Sequence, residues 1–113
     1  QGNSSTFGDL TSSQGNRGAC SNSTRALHSH ESKIDYITIA TTGNSTSFGD
    51  YLNDASYKCC VSSPTRGVWG GGSPGINVMG YVTIATQGDA VDFGDLVTTA
   101  YVHVCSSNAH GGL

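Results

Sequence analysis

The sequence predicts an all-β chain assembled from repeated, four-stranded antiparallel units, and three observations predict it. First, one nonapeptide pattern occurs three times. It is Gly2-Asn3-Ser4-Ser5-Thr6-Phe7-Gly8-Asp9-Leu10, then Gly43-Asn44-Ser45-Thr46-Ser47-Phe48-Gly49-Asp50-Tyr51, then Gly88-Asp89-Ala90-Val91-Asp92-Phe93-Gly94-Asp95-Leu96. Its Phe positions step by 41 (48 − 7) and by 45 (93 − 48). Second, other motifs keep the same two periods. Tyr36-Ile37-Thr38-Ile39-Ala40-Thr41 returns 45 residues later as Tyr81-Val82-Thr83-Ile84-Ala85-Thr86, Thr24-Arg25 returns 41 later as Thr65-Arg66, and Cys60 returns 45 later as Cys105. Third, the apolar runs are β-branched and aromatic, as strands are, and no window sustains the i, i+3, i+4, i+7 spacing of a helix.

A period near 45 filled with strands is the signature of a four-stranded propeller blade. Strand one is the Cys-bearing segment, residues 55–62 and again 100–106. Strand two spans 65–71 and ends in Gly70-Gly71-Gly72, where glycine lets the chain turn among crowded inner strands. Strand three spans 81–86; sheets stacked on both sides explain why it lacks strongly polar residues on either face. Strand four spans 92–96, with Phe93 as an anchor between neighbouring blades, Gly94 permitting a bulge or a positive φ angle, and Asp95 placed to satisfy turn amides. The chain then divides into a partial blade 1–10, a blade 17–51, a blade 55–96 and a partial blade 100–113. Such a set is an incomplete ring, and an open sheet edge pairs readily with another chain. The expected partner is a second copy, in a homo-oligomer, or the remainder of a longer propeller. The start at Gln1, with neither Met nor signal peptide, reads as a processed form or a fragment.

Composition excludes several function classes. Five Lys and Arg against eight Asp and Glu give a formal net charge of −3, without the clustered cations that displace counterions from phosphates, so nucleic acid is not an expected partner. No apolar run reaches the roughly 20 residues of a membrane-spanning helix. The four cysteines, Cys20, Cys59, Cys60 and Cys105, form no C-x-x-C pair, which argues against zinc and thioredoxin-like chemistry. Low charge, abundant Ser and Thr and an even cysteine count place the chain outside a cytosol, in an extracellular setting. Neither a catalytic triad signature nor a phosphate-binding loop is visible, so no enzyme activity, cofactor or metal is expected.

Val68-Trp69-Gly70-Gly71, followed by Tyr81 and then Phe93, resembles the kelch blade with its double glycine, tyrosine and later aromatic. It departs in a longer tyrosine-to-aromatic spacing, and the first repeat carries His28-Ser29-His30 in place of the glycine pair. The segments from Ile34 to Tyr51, Thr65 to Gly72 and Tyr81 to Leu96 look more closely like the kelch-like repeats of virion structural proteins from marine and cyanobacterial phages. That resemblance implies a structural or adhesive module. The alternative expectation is a secreted, lectin-like propeller that binds glycans through one shallow pocket per blade, gaining avidity by oligomerisation.

Candidate residues follow from the repeats. Arg25, Arg66 and Trp69 are the types that line sugar sites; the competing reading pairs the arginines with aspartates between strands and buries Trp69 as an inter-blade aromatic. Asp9, Asp50 and Asp95 recur once per repeat, which favours turn chemistry over catalysis. His28 and His30 alternate on one strand and could face one metal ion, but lack an accompanying carboxylate cluster beyond Glu31. With His103 and His110 they read as surface or loop histidines. Cys20, Cys60 and Cys105 fall at comparable strand-one positions and read as buried thiols, leaving Cys59 as the disulfide candidate, between subunits for instance. Asn3, Asn22 and Asn44 head N-x-Ser/Thr sequons and would accept glycans in a secreted eukaryotic protein.

Overall fold

The computed structural model describes residues 2–13, 15–101 and 104–107, so Gln1, His103, His110 and most of the last expected partial blade lie outside the described residues. Eight strands follow one another: β1 (Gly18–Ser21), β2 (Arg25–His30), β3 (Lys33–Thr38), β4 (Thr46–Asp50), β5 (Cys59–Ser62), β6 (Arg66–Gly70), β7 (Ile76–Thr83) and β8 (Val91–Ala100). They make two four-stranded antiparallel meanders, β1-β2-β3-β4 and β5-β6-β7-β8, with no helix among the described residues. The all-β class and the four-strand repeat unit are thus as the sequence predicts.

Local chemistry explains the turns. The side-chain oxygen of Asn22 accepts the amides of Thr24 and Arg25 between β1 and β2, and the Ser63 hydroxyl does the same for Thr65 and Arg66 between β5 and β6. Gly71, Gly72 and Gly75, at φ of 67°, 124° and 99°, carry the chain from β6 into β7 through conformations that L side chains rarely adopt. Strand boundaries differ from expectation in three places. The expected first strand at 55–62 begins only at Cys59, because Tyr57 sits at φ 59° and breaks the extended run. Strand three is displaced: β7 starts at Ile76 and ends at Thr83, since the glycine-rich turn delivers an extended chain early and residues 84–86 already bend. Strand four continues to Ala100 because β7, longer than expected, offers it pairing partners back to Ile76.

Both Phe-Gly-Asp motifs inside strands form β-bulges. The pairing of β3 with β4 jumps from Ile34↔Gly49 to Asp35↔Ser47, and that of β7 with β8 from Met79↔Gly94 to Gly80↔Asp92. Phe48 and Phe93 are therefore the extra residues, freed from the ladder and turned toward neighbouring structure. Each packs edge-on against the tyrosine of the preceding strand, Tyr36 and Tyr81.

The two meanders stack on one another, with β1 against β5 and β6. Their core comprises Leu27, Ile34, Phe48, Tyr51, Trp69, Val82, Ile84 and Ala90, drawn from both sheets. Neither sheet closes a core alone, as expected of repeat units that bury apolar surface only against neighbours.

Candidate functional site

The contacts between repeats are themselves periodic. Phe48 and Asp50 carbonyls accept the amides of Gly88 and Ala90 at 3.0 and 2.8 Å, and the Asp50 amide donates to Asp89 Oδ1 at 2.9 Å. One repeat earlier, Phe7 and Asp9 carbonyls accept the amides of Gly43 and Ser45 at 2.9 and 2.8 Å, and the Asp9 amide donates to Asn44 Oδ1 at 2.9 Å. Phe-Gly-Asp of one repeat is thus clasped by Gly-Asn/Asp-Ser/Ala of the next. Glycine is needed at the motif's centre because a Cβ on Gly8 or Gly49 would lie 2.1 or 2.2 Å from the carbonyl oxygen of Gly43 or Gly88. Residues 2–10 form no strand of their own, yet this clasp ties them to the first sheet. The expectation that Asp9, Asp50 and Asp95 satisfy turn amides is corrected for the first two, whose backbones make the contact while Asn44 and Asp89 supply the accepting side chains. The Asp50 carboxylate instead pairs with Lys33 at 2.7 Å on the surface.

Other inter-repeat bonds keep the same spacing. Ser62 Oγ donates to the Ser21 carbonyl, and Ser107 Oγ to the Ser62 carbonyl, so strand-one positions stack in three tiers. Tyr51, just after β4, reaches into the second sheet: its hydroxyl donates to the Trp69 carbonyl and accepts the Gly80 amide, both at 2.9 Å. Gly80 leaves the room, since a Cβ there would meet the Tyr51 ring at 2.9 Å. Burial raises the Tyr51 phenol to about 12, so it stays protonated and keeps donating.

The first sheet faces residues 2–12 through a polar version of this interface. His30 Nε2 lies 3.0 Å from Asp35 Oδ2, which also accepts from Thr11 Oγ1; His28 Nε2 lies 3.0 Å from Ser45 Oγ, and its Nδ1 faces Arg17 at 3.0 Å. In the following repeat the equivalent positions are Leu52 (11 + 41), Trp69 (28 + 41), Gly80 (35 + 45) and Ala90 (45 + 45). His28, His30, Asp35 and Ser45 are all buried, so the surface-histidine expectation is corrected for this pair. Register explains the burial: β2 runs between β1 and β3, and His28 sits opposite Asp35. Burial holds the His28 imidazole below its usual range, and Arg17 can only donate, which fixes Nδ1 as acceptor and Nε2–H as donor to Ser45. In that tautomer His28 cannot take a proton from Ser45, and the pair does not form a nucleophile with its base. Among the described residues no group of three or more His, Cys, Asp and Glu is placed to hold a metal ion.

The sequence-derived ligand candidates separate. Arg25 and Arg66 stack on Tyr36 and Tyr81, guanidinium carbon to ring centre 4.8 and 4.7 Å, rather than pairing with aspartates. Arg25 also donates to the Ile84 carbonyl of the second sheet, whereas Arg66 is exposed at the edge of a cleft of about 510 Å³ lined by Val61, Ser62, Val68, Ser106 and Ser107. Trp69 is fully buried, its indole N–H donating to the Gly18 carbonyl at 3.2 Å, and it is unable to stack on a ligand. Cys59 bonds to Cys105 within one chain, Cα to Cα 5.7 Å, so Cys105 leaves the buried-thiol set and the intersubunit bridge is corrected; Cys20 and Cys60 remain free and half-buried. Of the sequons, Asn3 and Asn44 are exposed, while Asn22 uses its amide nitrogen to hold the Pro64 carbonyl of the second sheet. The polar cluster was hidden from single-residue reading, but setting the two repeats side by side exposes it, because polar groups replace Leu, Trp, Gly and Ala. The chain matches no protein-family model and no curated protein.

Proposed function

We infer that the chain is a pair of kelch-like propeller blades, with partial blades before and after, serving as a non-catalytic module for structural assembly or surface adhesion, of the kind found in virion structural proteins. What supports this reading is the clasp: the same three hydrogen bonds join the two four-stranded meanders and tie residues 2–10 to the first of them, a device that can be repeated. The buried polar groups are spent on holding segments together, and the Ser45–His28 tautomer gives no activated nucleophile. Electron microscopy of the purified protein tests the reading. Sheets arranged as wedges around a shared axis are expected; sheets stacked in a straight solenoid would refute it.

One observation favours a second reading, a carbohydrate-binding propeller placed outside the cell. Arg66 stacked on Tyr81 beside an open, serine-lined cleft offers donors and an apolar wall, the mix that sugars use. A glycan array decides between them. Sub-millimolar binding that free sugar competes and Arg66→Ala abolishes would favour the lectin; silence across a broad panel would favour the scaffold.

A further inference from the structure

Three Phe-Gly-Asp motifs occur, and two of them are clasped. The third shares the bulge and the ring contact: Phe93 is the bulged residue of β8 and packs on Tyr81 as Phe48 packs on Tyr36, while Gly94 sits at φ 138°. Its surroundings differ. A Cβ on Gly94 would meet nothing within 4 Å, whereas Gly8 and Gly49 abut the next repeat's backbone at 2.1 and 2.2 Å. Phe93 is 52% exposed, against 3% for Phe48, and Val91 and Val97 beside it are exposed too. The apolar strip along β8 thus carries one half of an interface whose other half is known, because the chain displays it twice.

That other half is Gly-Asn/Asp-Ser/Ala, and the chain holds one further example of it. Gly2-Asn3-Ser4 repeats Gly43-Asn44-Ser45 residue for residue. All three are exposed. We propose that Phe93-Gly94-Asp95 is a docking site for Gly2-Asn3-Ser4 of a second copy of the chain. The Gly2 amide donates to the Phe93 carbonyl, the Ser4 amide donates to the Asp95 carbonyl, and the Asp95 amide donates to Asn3 Oδ1, as Gly43, Ser45 and Asn44 serve Phe7 and Asp9. Glycine at position 94 lets the two backbones approach, as Gly8 and Gly49 do in the clasps already made, and a polar side chain at position 3 accepts the amide that the bulge leaves over. The contact is head-to-tail, so each copy keeps one free end and further copies can add. The proposal deepens the assembly reading above by naming the partner and the contact.

The test is sedimentation velocity of the full chain over a concentration series, with 15N amide shifts recorded across the same series. Expected are concentration-dependent association and shifts at the Gly2, Ser4 and Asp95 amides. Asn3→Ala should weaken association about fivefold, the loss of one net hydrogen bond. Asn3→Asp should hold it within about twofold, because Asp89 already fills this role between the two sheets. Asn3 is exposed, so both variants should keep the wild-type circular dichroism. Association that ignores Asn3→Ala, or shifts confined to other surfaces, would overturn the clasp while leaving the propeller reading to the images. A chain that stays monomeric to about 1 mM, the weak limit of specific contacts, would also overturn it and leave a further repeat of a longer chain as the occupant. Images of sheets in a straight stack would sink the propeller reading and leave the clasp standing.

Discussion

Gly49→Ala isolates the clasp between the two sheets. The added methyl would lie 2.2 Å from the Gly88 oxygen, 2.5 Å from its carbonyl carbon and 2.9 Å from the Asp89 nitrogen, all backbone atoms that cannot rotate away. The segments must separate, and the three hydrogen bonds linking Phe48 and Asp50 to Gly88, Asp89 and Ala90 go with them. At about 1 kcal/mol net for each bond, that is about 3 kcal/mol. Phe48 would then approach the exposure of unclasped Phe93, from 3% to 52%. Half a phenylalanine side chain is on the order of 100 Å² of apolar surface, or about 2.5 kcal/mol. Stiffening the unfolded chain returns about 0.5–1 kcal/mol. The net expectation is a loss of roughly 5 kcal/mol, which at a urea slope of about 1.5 kcal/mol/M lowers the midpoint by about 3 M. Urea titration followed by the fluorescence of the single, buried Trp69 measures it. Gly43→Ala and Gly88→Ala are the controls, since a Cβ at either touches nothing within 4 Å. A midpoint for Gly49→Ala no lower than theirs would refute the reasoning.

Two further predictions follow from the interfaces beside the clasp. Tyr51→Phe leaves the Gly80 amide and the Trp69 carbonyl without their partner in the core and should cost about 1–3 kcal/mol by urea titration; because the phenol is raised from 10.0 to about 12, wild-type stability should also fall as pH rises above 10, a decline the Phe variant lacks. His28 is held below its ordinary 6.5, so the unfolded chain binds its proton first: the melting temperature should be level above that value and fall as pH drops below it, and His28→Gln should flatten the decline, whereas an unchanged slope would show that His28 is not its source.

How much of this was legible in the sequence depended on whether the determining interaction was local. Strand type, order and the four-strand unit were readable because the β-branched and aromatic runs and the glycine run act over a few residues, and the motifs recur at fixed periods. At Phe48-Gly49 the sequence left a bulge and a positive φ angle both open, and the register of β3 with β4 decides for the bulge. The start of β7 at Ile76 was not readable, because Ser73-Pro74-Gly75 marks a turn without saying how soon the extended chain resumes. Nor were the arginine sites, since a stack of Arg25 on Tyr36 depends on the cross-strand register of β2 and β3. The buried cluster joins Thr11 to Asp35 and His28 to Ser45 across 24 and 17 residues, and no single window contains it.

The two interfaces that flank the first sheet show what a repeat protein can vary. Geometry is held constant: the same clasp, with bond lengths matching to 0.1 Å, appears on both sides. Chemistry is not. On one side Tyr51 meets Trp69 and Gly80; on the other Thr11 meets Asp35, beside the buried pair of His28 and Ser45. Arg17 and Lys58 (17 + 41) are cations at equivalent positions. Lys58 keeps its charge among the Glu31 and Ala55 carbonyls and the Tyr51 ring, with burial lowering its ammonium to about 8, while Arg17 faces His28. Since each sheet finds its core only against neighbours, a change of chemistry at one interface alters that junction without disturbing the fold of either sheet. The apolar junction is bound chiefly by packing, with the Asp89 carboxylate in its clasp and no imidazole in its core. The polar junction depends on a neutral imidazole, so acid should loosen residues 2–12 from the first sheet before it separates the two sheets.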